Sequence, residues 1–210
     1  MNLHNLFCGI FVKFQRINVM RKLFLLTLTI AISISMMAQA PHMKFKGLEI
    51  NGNYKTFAQN LVKQGFKIVE SADDGIVLIG NFMAHPETMT IVYPDPKTKN
   101  VTMVAAFIET DGNWISMEKE FLSTVETYKQ KYGDPAEYST RFNVDEEDLS
   151  DAWKKMYLQD GRCEYVARFE TAEGVIGITI VYYLRKYGVM IAYIDGQNKA
   201  EMDKAILDDI

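Results

Sequence analysis

The chain is predicted to be α+β, an antiparallel meander sheet backed by helices. Three observations predict it. Short alternating or apolar runs are separated by hairpin signals, Asp73-Asp74-Gly75, Glu173-Gly174 and Lys186-Tyr187-Gly188. Trp114 to Pro135 carries Phe121, Val125, Tyr128 and Tyr132 at i, i+4, i+7 and i+11, with Leu122 beside them, the spacing of one helix face. Strand-like sequence lies on both sides of that helix. This gives two loosely related α-β4 units, residues 41–113 and 114–210, in a single domain over 41–210 with no linker rich in Gly, Ser or Pro.

The first forty residues read as a leader. Arg21 and Lys22 form a positive segment, Leu23 to Ile34 is an apolar run, and Ala38-Gln39-Ala40 is a small-x-small cleavage signal, which starts the exported chain at Pro41. The apolar run is shorter than the roughly 20 residues a membrane span takes. Met20 precedes the charged pair and is a second candidate start, so the sequence leaves Met1 and Met20 both open. Cys8 precedes the apolar run, where a lipidated cysteine would follow it.

In the exported chain, Met43 to Ile50 is an opening strand and Asn51-Gly52-Asn53 a turn that caps a helix from Tyr54 to Gln64, ended by Gly65. Four strands follow: Phe66 to Glu70, Ile76 to Phe82, Thr88 to Tyr93 and Val101 to Ile108. Ala84 to Glu87 is a loop between the second and third. The last of the four is apolar on both faces, as a strand covered on both sides is. In the central helix Ser116 is the expected cap, Lys129 and Lys131 suit the negative end of the dipole, and Gly133 and Pro135 stop it. Ala136 to Phe142 is the next strand. Asn143 to Gln159 holds a second helix with the stripe Leu149, Ala152, Trp153, Met156 and Tyr157. Its acidic lead, Asp145 to Asp148, suits a helix dipole and lacks the glycine and final glutamate of an EF-hand. Arg162 to Glu170, Val175 to Leu184 and Val189 to Asp195 form a three-stranded meander. Glu164, Arg168 and Thr179 point away from its apolar face, which predicts one wet face. Asn198 to Leu207 closes the chain as a helix.

Charge and motifs narrow the function. Residues 1–40 hold four basic and no acidic residues, so their removal takes the formal charge from −4 to −8. That excludes the basic footprint of nucleic-acid binding and disfavours an anionic membrane surface. Cys163 is then the one cysteine, so no internal disulfide forms. Its phase with Tyr165, Ala167 and Phe169 reads as a buried small hydrophobe. His85 has no second His or Cys at ligand spacing, and His42 sits at the frayed start of the exported chain, so neither a metal site nor a cofactor is expected. The motifs G-x-S-x-G, H-E-x-x-H, C-x-x-C, G-x-G-x-x-G and the P-loop are not in the sequence. A carboxylate pair acting on sugar is the enzyme reading left, since such pairs form in space.

Phe45 to Gly52, Gly65-Phe66, Gly80-Asn81-Phe82, Trp114, Lys131 to Pro135 and Tyr187 to Tyr193 together resemble a family of small exported bacterial proteins. That resemblance implies export and transfers no catalytic residue. At the level of fold alone, helix-plus-meander units in tandem resemble beta-lactamase inhibitory protein and small outer-membrane-assembly lipoproteins. The expectation is a noncatalytic periplasmic or extracellular module binding a protein or an envelope component, with Tyr183, Tyr187 and Tyr193 as its binding residues. The alternative is carriage of a small molecule or lipid between sheet and helices, suggested by 12 Met and 12 Phe.

Overall fold

Alternating side chains and tight turns assemble eight strands into one continuous antiparallel sheet. In the computed structural model, which describes residues 41–144, 148–198 and 200, the chain opens with β1 (Lys44–Phe45) and β2 (Leu48–Glu49). Helix α1 (Tyr54–Lys63) leads into β3 (Lys67–Ala72), β4 (Gly75–Phe82), β5 (His85–Pro94) and β6 (Val101–Glu109). Helix α2 (Trp114–Tyr132) leads into β7 (Glu137–Phe142), α3 (Asp151–Gln159), β8 (Cys163–Thr171), β9 (Gly174–Tyr183) and β10 (Lys186–Asp195). The eight long strands run in the order β3-β4-β5-β6-β10-β9-β8-β7. Two four-stranded meanders, each following a helix, are thus joined by their last strands, with Val189 opposite Ile108 and Ile191 opposite Ala106. Among the described residues no helix is long and apolar enough to cross a membrane. The leader over residues 1–40 and most of the closing helix, beyond Asn198 and Ala200, lie outside the described residues.

Helices α1, α2 and α3 cover one face. Leu61 and Phe57 of α1, Met117, Phe121 and Val125 of α2, and Leu158 of α3 meet Leu78, Val104, Ile176, Ile178, Ile180 and Ile191 of the sheet in one buried cluster. Gly80 lies under Phe66, the first residue after the α1 turn. A Cβ at Gly80 would stand 2.4 Å from the ring, which is itself only 2% exposed. Gly80→Ala is therefore expected to lower stability by about 1–3 kcal/mol through overpacking. Urea unfolding would show this as a lower midpoint with an unchanged slope.

Several elements differ from the sequence expectation. The opening strand is a two-stranded hairpin, because Lys46 (φ 52°) and Gly47 (φ 80°) turn the chain between β1 and β2. His85 already belongs to β5, and the turn is made by Met83 and Ala84. Ser116 does not cap α2; its hydroxyl donates to Asp111 at 3.1 Å. The first free N–H groups go instead to Asp151 Oδ1 (from Trp114, 2.9 Å) and Asn113 Oδ1 (from Ile115, 2.9 Å). The hydrogen bond from Lys155 holds the Asp151 carboxyl below the usual carboxylate range; burial opposes it, and the Trp114 N–H adds to the lowering. The second helix begins only at Asp151, capped by Ser150, and residues 145–147 of its acidic lead lie outside the described residues. Its stripe is also rotated. Trp153 is 51% exposed, and Tyr157 and Leu158 make the buried contact. The helix is only nine residues long and packs through its last turn, with Tyr157 against Phe142 at 6.4 Å between ring centroids.

Candidate functional site

Period-two alternation sends every second strand residue to the face opposite the helices. Register places Ile79, Met89, Phe107, Met190, Thr179 and Val166 in one row across six strands. The next row runs Val77, Ile91, Ala105, Ala192, Gly177 and Arg168. Ile91, Ala105, Phe107, Val181, Tyr183, Met190 and Ala192 form a second buried cluster made of strand residues alone. The Phe107 ring covers Gly188, where a Cβ would stand 2.8 Å from a ring carbon and 2.1 Å from the Ile108 carbonyl. Around this closed centre Val77, Met89, Tyr93, Met103 and Leu184 are partly exposed.

Toward β8 and β7 the same face turns polar. Arg168 donates to Glu137 at 3.1 Å and to Glu170, while Arg141 pairs with Glu164 at 2.7 Å. Burial works against the Arg168 charge, but the hydrogen bonds to Glu170 and Glu137 outweigh it and raise its pKa above the usual value. The expected wet face is thus confined to the β7–β8 end, and the middle of the face is apolar.

The three tyrosines expected to share a binding face are not brought together. Tyr183 lies in the second cluster, 3% exposed, with its ring 6.0 Å from Phe107. Tyr193 is buried on the helix-covered face, where its hydroxyl meets that of Tyr128 in a short contact beneath Phe45 and Phe82. Burial pushes both phenols well above their usual pKa, so the pair is neutral. Tyr187 is half-buried at the β9–β10 hairpin, its ring 4.7 Å from that of Tyr182 and tilted against it, with its hydroxyl accepting from Gln159 at 2.5 Å. Tyr187 and Tyr193 lie on the helix-covered face at opposite ends of β10, and Tyr183 lies on the other face, so the three share no surface.

The histidines are tied into the fold. His85 reaches Glu120 of α2 at 3.3 Å. His42 is not frayed: its Nδ1 lies 3.1 Å from Asp195 Oδ1 and its Nε2 2.7 Å from Asn51 Nδ2. Asn51 Oδ1 already accepts from the Gly52 N–H at 2.6 Å, which leaves the Asn51 amide to donate to His42 and puts the ring proton on Nδ1, toward Asp195. Asp195 is fully buried and also accepts from the N–H groups of Met43 (2.7 Å) and Asn198 (2.9 Å). Cys163 is buried on the helix-covered face with Tyr165, as its phase implied. The Tyr165 hydroxyl donates to Glu118 at 2.6 Å; burial first, then this carboxylate, raises its pKa. Among the described residues no three His, Cys, Asp or Glu side chains converge to hold a metal ion.

No family model, curated protein or solved structure matches this chain. The candidate site therefore rests on geometry: the partly exposed apolar margin of the face that is helix-free among the described residues, and the charged strip beside it.

Proposed function

We propose that the protein is an exported, noncatalytic module that binds a protein or an envelope component on the helix-free face of its sheet. The observation that carries this reading is the margin Met89, Tyr93 and Met103 on neighbouring strands β5 and β6, where Tyr93 stands opposite Met103. A thioether pair with an aromatic ring offers an adaptable apolar contact. The Arg168–Glu137–Glu170 and Arg141–Glu164 groups at the β7–β8 end supply polar contacts at its rim. The leader-like N-terminus supports a role outside the cytoplasm.

The test is capture from envelope extract by wild-type protein and by Tyr93→Ala/Met103→Asp. A partner recovered saturably by the wild type, and reduced tenfold or more with the variant, supports the face. Equal recovery by both proteins, with unchanged melting of the variant, contradicts it. Carriage of a small molecule or lipid stays the second reading. The space between helices and sheet is occupied by ring contacts such as Phe45–Phe82 at 5.2 Å and Trp114–Tyr165 at 5.2 Å.

A further inference from the structure

The sheet ends in two edge strands, β3 and β7, and they differ in what they offer. Strand β3 is interrupted by a register shift between Ile68 and Glu70, the kind of irregularity that discourages a further strand. Strand β7 is regular, with six consecutive partners from Glu137↔Arg168 to Phe142↔Cys163. The Asn143 N–H donates to the Arg162 carbonyl at 2.8 Å, which marks the next pair as hydrogen-bonded. Alternation then turns Arg141, Ser139 and Glu137 inward to β8 and leaves the N–H and C=O groups of Phe142, Thr140 and Tyr138 pointing out of the sheet. Thr140 is exposed and Tyr138 is 50% exposed.

We propose that two copies of this chain pair antiparallel through β7 about a two-fold axis at Thr140, extending the sheet from one copy into the other. The strand is complementary to itself in this register alone among those centred on an outward-facing residue with full overlap. Thr140 stands opposite its own copy, a favourable hydroxyl pair. Tyr138 stands opposite Phe142 of the second copy, on the side where Tyr138 already stacks on Phe121 of α2 at 6.4 Å. On the other side, Glu137 of one copy comes diagonal to Arg141 of the other, which a parallel pairing would replace by like charges side by side. About six new main-chain hydrogen bonds result from the alternation. The contact is smaller than a standard interface, so association is weak and concentration-dependent.

Sedimentation velocity of the protein purified from its host envelope tests this, over about 1 to 200 µM, since mass action makes a weak dimer visible only at the upper end. The wild type is expected to shift from one to two chains with rising concentration. Thr140→Pro removes an outward N–H that β8 does not use, so the sheet keeps its ladder while the edge loses its central donor. It is expected to stay monomeric with an unchanged far-ultraviolet spectrum. Tyr138→Lys, which leaves the backbone alone and carries the test if the proline variant misfolds, is expected to weaken pairing tenfold or more. A wild type that stays monomeric throughout, or a dimer that persists in Tyr138→Lys at full strength, overturns the proposal.

Discussion

Trp114→Ala is expected to destabilise the protein by about 3–5 kcal/mol, the range for removing a large buried aromatic side chain. Trp114 is 1% exposed and stands where α2, α3, β7 and β8 meet. Its ring packs on Phe142 at 5.1 Å and on Tyr165 at 5.2 Å, and the Lys154 ammonium lies 5.8 Å from its centroid. Among the described residues its buried Nε1 has no hydrogen-bond partner, so truncation loses packing and no polar contact. Trp114→Phe should for that reason cost much less, about 1–2 kcal/mol for the smaller volume lost. Equilibrium unfolding in urea checks both. A Trp114→Ala variant within about 1 kcal/mol of wild type would show that the site collapses to fill the space.

Asp195→Ala is expected to cost about 2–6 kcal/mol, because it orphans two buried N–H groups at roughly 1–3 kcal/mol each. Those donors, Met43 and Asn198, lie just before the first strand and just after the last. Asn198 extends the knot by donating through Nδ2 to the carbonyls of Ile50 and Val101, both at 2.8 Å. One carboxylate thus ties the opening hairpin, the start of β6 and the end of β10. Asp195→Asn keeps one acceptor oxygen and presents an amide to the other donor, so it should fall between Ala and wild type. Hydrogen exchange at the Met43 and Asn198 amides reads this directly. Both are expected to lose protection in Asp195→Ala before the sheet amides of β9 do, and unchanged protection would contradict the knot.

The meanders, the central helix and the double burial of β6 were legible because each rests on a local period. Val104, Ala106 and Ile108 alternate with Ala105 and Phe107, and both sets are buried. Gly133 stops α2 at φ 79°, as a glycine after a helix does. What escaped was set by partners distant in sequence. Asp151, 37 residues from the Trp114 whose N–H it accepts, is such a partner; Asn113, which caps α2 in place of Ser116, stands directly before the helix and is a local signal. The stripe on α3 was read over too long a helix, and a nine-residue helix buries only its last turn. His42 looked frayed because Asp195 lies 153 residues away. The tyrosines were grouped by residue type, whereas Tyr183 and Tyr193 sit on opposite faces of adjacent strands. Met89, Ile91 and Tyr93 were seen to be in phase, but phase alone does not say which face the helices leave open.

The proposal that the helix-free face is the docking surface is tested most directly by oxidative footprinting of methionines, in the intact host envelope and in purified protein. Met89 and Met103 lie at the margin of that face, and Met156, half-buried on α3, reports on the helix side. The expected result is protection of Met89 and Met103 in the envelope, lost on purification, with Met156 reacting equally in both. Equal reactivity of all three methionines in the two settings would contradict it.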